Sequence, residues 1–221
     1  MENLIFKETD FWNLQERLFD YLPTKVNVNI CGIEKTKKEE IIKIVDELQK
    51  EEQETAIGRN LFARLEEKFP LLFCCAVDMK EDDILCKVAK KTIDGNTNAI
   101  IFTNKKDYLH ERMIYTLCGV YWYLTNEETK REEVFTLKKE DLQKDFAKEA
   151  YFFASEYLLR DKNLTKEIDQ WYKNEKPEKD LFKSKDMKDI EGKLEKMLYY
   201  LIDKYEIPGQ LVFYRLCEKM S

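Results

Sequence analysis

The chain has 221 residues, 43% of them hydrophobic and 13% aromatic, which is enough to bury a sizeable core. Its 44 acidic and 38 basic residues leave a net charge of −6, which favours solubility and argues against a general nucleic-acid binder. No run of about 18 apolar residues occurs, so no membrane span is expected. Residues Met1 to Asp10 carry Glu2, Glu8 and Asp10 without an apolar signal core, so the expected location is the cytoplasm.

In chain order, Thr9 or Asp10 can cap a first helix in which Phe11, Leu14, Leu18 and Leu22 share a face before Pro23 ends it. Val26 to Ile30 alternates apolar and polar, as a half-exposed strand or an ordered loop would. From Lys35 to Glu54 the apolar positions Ile41, Ile44, Val45 and Leu48 predict an amphipathic helix with a solvated, charged outer face. A helix from Gly58 to Lys68 groups Leu61, Leu65 and Phe69, and Pro70 stops it. Next, Leu71 to Val77 reads as a buried strand and Ile84 to Ala89 as another, with a turn at Asp94-Gly95-Asn96 leading to a strand at Ala99.

The organising stretch runs from Asn98 to Leu159. Asn98 to Asn104 predicts a short strand, Arg112 to Leu124 a helix with Met113, Leu117, Val120, Tyr121 and Leu124 as its apolar positions, and Phe146, Ala150, Phe153, Ala154, Tyr157 and Leu158 one face of a second helix. This order and spacing resembles the ImmA/IrrE family of zinc metallopeptidases. There a strand ending in Asn leads to Arg-x-Arg-Phe-Thr-Leu-Ala-His-Glu-Leu-Gly-His, and a later helix reads Glu-x-x-Ala-Asn-x-Phe-Ala-x-x-Leu-Leu. Arg112, Tyr115-Thr116-Leu117-Cys118 and Ala150 to Leu158 match the scaffold of that pattern. Residues Leu201 to Leu216 resemble its C-terminal Leu-Ala-x-x-Phe-x-Val-Ser-x-x-Ala-Val-x-x-Arg-Leu.

In the family the two histidines bind Zn²⁺ and the adjacent Glu activates its water. The resemblance places the two His positions on Gly119 and Tyr123, the general base on Val120 and the carboxylate ligand on Ala147. None of these supplies a ligand or base at neutral pH, since glycine has no lone pair and a phenol titrates near 10. The resemblance thus implies a zincin-like α+β fold, mostly helical, with a small central sheet and a C-terminal helix-turn-helix-like pair, but with no catalytic residues, no metal and no cofactor. Glu149 reaches the ligand position if the register shifts by two residues. Tyr121, Trp122, Tyr123, Tyr151 and Phe152 put aromatics where the cleft would be, to fill it or to form a recognition surface.

Other chemistry is sparse. His110 is the sole histidine and has no helical partner, because residue 114 is Ile. Cys31, Cys74, Cys75, Cys86, Cys118 and Cys217 lack Cys-x-x-Cys spacing and read as buried hydrophobes in a reducing compartment, with Cys74 and Cys75 facing opposite sides of a strand. No Gly-x-Ser-x-Gly elbow or phosphate loop occurs.

Asp161 to Lys196 is densely charged and predicts a loosely docked connection with helical pieces, broken at Pro177. Leu194, Met197, Leu198 and Leu201 then form a helix face, Glu206 to Gly209 a turn, and Leu211 onward a last helix. Two regions follow, 1–160 with the zincin-like core and 161–221 packed on the same domain. The expected function is that of a non-catalytic protein binding another protein, as a regulator or anti-defence factor of a phage or mobile element. Tyr199, Tyr200, Phe213, Tyr214 and Arg215 are its candidate contacts, being residue types enriched at interfaces. The alternatives are a residual metal-dependent hydrolase using Glu149 or His110, and a helix-turn-helix regulator, although Arg215 and Lys219 are few cations for DNA.

Overall fold

The computed structural model describes residues 32–49, 60–94, 96–126, 133–175 and 187–220. The helix expected from Phe11 to Leu22, the strand at Val26 to Ile30, Cys31 and Pro177 lie outside the described residues. Those residues form an α+β, mostly helical protein with seven α-helices and one four-stranded mixed sheet. In chain order the elements are α1 (Lys35–Leu48), α2 (Leu61–Lys68), β1 (Leu72–Val77), β2 (Ile84–Ile93), β3 (Asn96–Asn104), α3 (Leu109–Thr125), β4 (Glu133–Lys138), a 3₁₀ turn (Lys139–Gln143), α4 (Asp145–Leu158), α5 (Asp161–Glu175), α6 (Met187–Tyr205) and α7 (Gly209–Met220). They divide into two compact units, a larger one ending at Tyr157 and a smaller one beginning at Leu158.

In the larger unit the strand order is β1-β3-β2-β4. The central pair β2 and β3 is an antiparallel hairpin, with Asp94 at φ 51° in its turn. β1 runs parallel to β3 on one side, and β4 antiparallel to β2 on the other. Alternation along each strand sends Ala99, Ile101, Thr103, Cys86, Val88, Lys90 and Leu137 to one face, where all are buried.

α3 lies on that face. Every residue from Met113 to Trp122 is buried, the pattern of a helix covered on all sides rather than a surface helix with one apolar stripe. Its start is held by Glu111, whose Oε2 accepts a hydrogen bond from Tyr108 N at 2.9 Å. At its end, the buried Lys90 lies 5.8 Å from the Trp122 ring and donates to Asn126 O, bringing a cation to the negative pole of the helix. The close approach of helix and sheet depends on Gly119. A Cβ there would lie 2.9 Å from Ile101 Cγ2 and 3.1 Å from Val88 Cγ2, inside van der Waals contact.

α4 packs against the opposite side of α3, with Tyr121 between Phe146 and Phe153, and Trp122 stacks on Phe135 of β4 with centroids 5.1 Å apart. Leu117, Val120, Phe153 and Tyr157 are all fully buried, as the pairing of these helices requires. α1 in turn lies on α4: Lys38 Nζ sits 5.1 Å over the Phe152 ring, and Gln49 Nε2 donates to Tyr157 O at 2.7 Å.

β4 is a strand that the sequence reading does not contain, and β1 departs from its expected character. Leu72 is buried, but Phe73 and Cys75 are exposed on the open face, and Ala76, on the α3 side, is exposed toward the end of this edge strand. Its free edge is partly covered by Glu66, whose Oε1 accepts from Cys74 N at 2.9 Å.

In the smaller unit, α5 places Leu164, Ile168 and Trp171 on one buried stripe. This 15-residue helix is one of the helical pieces expected in the charged stretch from residue 161, and its apolar stripe is buried rather than loosely docked. α6 and α7 are joined by the short Glu206-Ile207-Pro208 connection, with Glu206 at φ 52°.

Two glycine substitutions should have opposite signs. Gly119→Ala gains helix propensity but forces Ile101 and Val88 to move, so unfolding stability should fall by about 1–3 kcal/mol. Gly192→Ala in α6 meets no atom within 4 Å and should raise stability by up to ~1 kcal/mol. Urea denaturation of the two variants measures both.

Candidate functional site

Residues four apart on a helix share a face, and residues two apart lie nearly opposite. Gly119 points at Ile101 and Val88 of the sheet. Tyr123 meets Phe69, just beyond α2, with ring centroids 6.2 Å apart. Tyr121 points the other way, its ring 5.6 Å from Phe146 and 5.4 Å from Phe153 on α4. The positions matched to the family histidines thus face away from the helix that carries Ala147.

A metal site at Gly119, Val120, Tyr123 and Ala147 is not assembled. Val120 and Ala147 are buried and, like Gly119, offer no donor atom, so the residues present do not fit zinc. The pair that does meet between α3 and α4 is Tyr121 and Glu149, each two residues beyond the matched position, with the phenol donating to Glu149 Oε2 at 2.8 Å. Burial, and then the hydrogen bond and charge of Glu149, push the Tyr121 phenol up, so it keeps its proton and remains a donor. His110 is exposed in the first turn of α3. Among the described residues no group of three or more His, Cys, Asp or Glu side chains could hold a metal ion.

Near Glu149 a cleft of about 270 Å³ opens between the starts of α1 and α4, lined by Glu34, Lys37, Asp145, Lys148 and Glu149. Its charges pair with one another: Lys148 Nζ is 3.3 Å from Asp145 Oδ1, and Lys37 Nζ is 3.9 Å from Glu149 Oε2. Three carboxylates against two lysines leave the lining slightly acidic, with both lysines already paired inside the cluster.

The C-terminal candidates separate into two groups. Tyr199 is 48% exposed and Tyr200 37%, whereas Phe213, Tyr214 and Arg215 are buried. Arg215 Nη2 approaches Asp161 Oδ1 at 3.5 Å, tying the last helix to the start of α5. The surface expected from five residues therefore reduces to Tyr199 and Tyr200, because the other three are interior side chains. Tyr200 has a structural task as well. Glu167, itself buried, accepts from Tyr200 Oη at 2.7 Å, Lys204 Nζ at 2.6 Å and Tyr205 Oη at 2.9 Å.

The strongest unassigned feature is the sheet face opposite α3. Strand register aligns Phe73, Ile100, Ala89 and Val134 in one row across all four strands. Of these, Phe73 is 50% exposed, Ile100 36% and Val134 69%. The next row holds Cys75, Phe102, Lys87 and Thr136, and on the other side Lys91 lies opposite Asn98. Cys75 is an exposed free thiol, while the buried Cys86 thiol on the other face is pushed up to about 12 by loss of hydration. Sequence reasoning missed this face because an apolar run such as Leu71 to Val77 does not reveal which of its two sides is covered.

Comparison with family models, curated proteins and solved structures returned no match for this chain.

Restoring ligands at the matched positions should not create a metal site. Gly119→His with Tyr123→His should destabilise the fold and leave the purified protein without stoichiometric zinc by elemental analysis. One zinc per chain in the folded variant would refute the geometry above.

A second expectation concerns Glu167. Burial pushes its carboxyl up, but the hydrogen bonds from Lys204, Tyr200 and Tyr205 outweigh that and hold it below the usual range. A depressed carboxylate contributes stability above its unfolded value near 4.3, and loses it as pH falls through the lower folded value. Glu167→Gln should cost about 2 kcal/mol at pH 7, with the difference from wild type shrinking below about pH 4. Denaturation curves at several pH values check this.

Proposed function

We propose that this chain is a non-catalytic, zincin-like relative of the ImmA/IrrE metallopeptidases that works in the cytoplasm by binding another protein. The observation that carries the binding reading is the open sheet face, where Phe73, Ile100 and Val134 stand exposed in one row. Singly exposed apolar side chains are ordinary, but a contiguous apolar row rimmed by polar residues is typical of interaction sites. The non-catalytic part is supported by the α3–α4 contact, where the Tyr121 phenol and Glu149 satisfy each other. Tyr199, exposed on the smaller unit, is a second candidate contact.

The sequence of β3, α3 and, after the intervening β4, α4 supports the zincin-like descent. The orientation of Gly119, where a side chain would meet the sheet, supports a resemblance limited to the scaffold. The contexts in which that family works, mobile elements and stress responses, make an element-borne regulator or anti-defence factor the role that suits such a binder.

A photo-crosslinking amino acid placed at Phe73, Ile100 or Val134, expressed in the native host, should give one adduct of the same added mass from all three positions. The same group at Gly192 should not give it. No shared adduct from the three sheet positions would remove the basis of the reading.

A further inference from the structure

We draw no further inference here: the strongest candidate, the exposed apolar row of Phe73, Ile100 and Val134 on the sheet face opposite α3, already carries the proposed function, and nothing in the structure shows what covers it.

Discussion

The contact on which the larger unit depends is the absence of a side chain at Gly119. Because that position carries no Cβ, α3 settles onto Ile101 and Val88 at a distance no other residue permits without displacement. From that contact follow the burial of ten consecutive residues, Met113 to Trp122, and the placement of α4 on the far side of the helix through Tyr121. A helix with this much apolar surface is stable only when enclosed, and the sheet and α4 enclose it. Position 119 is thus occupied by glycine for a packing reason, which is a different statement from the loss of a ligand.

Having α3 on one face leaves the other face of the sheet to its own devices. A four-stranded sheet in which one face is covered normally presents polar residues on the other. Here the uncovered face carries Phe73, Ile100 and Val134 in register, apolar surface left in contact with water. The edges are treated differently: Glu66 occupies the N–H of Cys74 on the β1 edge, which discourages indiscriminate strand pairing. An exposed face together with a partly blocked edge favours face-on binding over strand addition.

Much of the fold was legible in the sequence. The periodicity of Ile41 and Val45, Leu61 and Leu65, and Phe153 and Tyr157 located α1, α2 and α4, and each of these pairs is buried. What escaped was decided by tertiary partners. β4 is six residues long and acquires its identity from pairing with β2, not from a pattern of its own. In the densely charged stretch from residue 161 helical pieces were legible but not the burial of Leu164, Ile168 and Trp171, which keep helical spacing within α5. The candidate site was legible to a lesser degree. The resemblance only assigned positions to the metal ligands, and the direction of Gly119 and Tyr121 is what tells which side of α3 meets α4. Phe213, Tyr214 and Arg215 belong to types common at interfaces and equally to types that fill cores, and composition alone does not separate the two.

The orientation of α3 is the claim on which the rest stands, and through-space proton contacts in solution report it directly. A methyl-labelled sample should show nuclear Overhauser contacts from the Gly119 α-protons to the Ile101 and Val88 methyl groups, together with contacts from the Tyr121 ring to Phe153. Contacts from the Gly119 α-protons to α4, with none to Ile101 or Val88, would turn the matched positions toward the second helix and contradict the account.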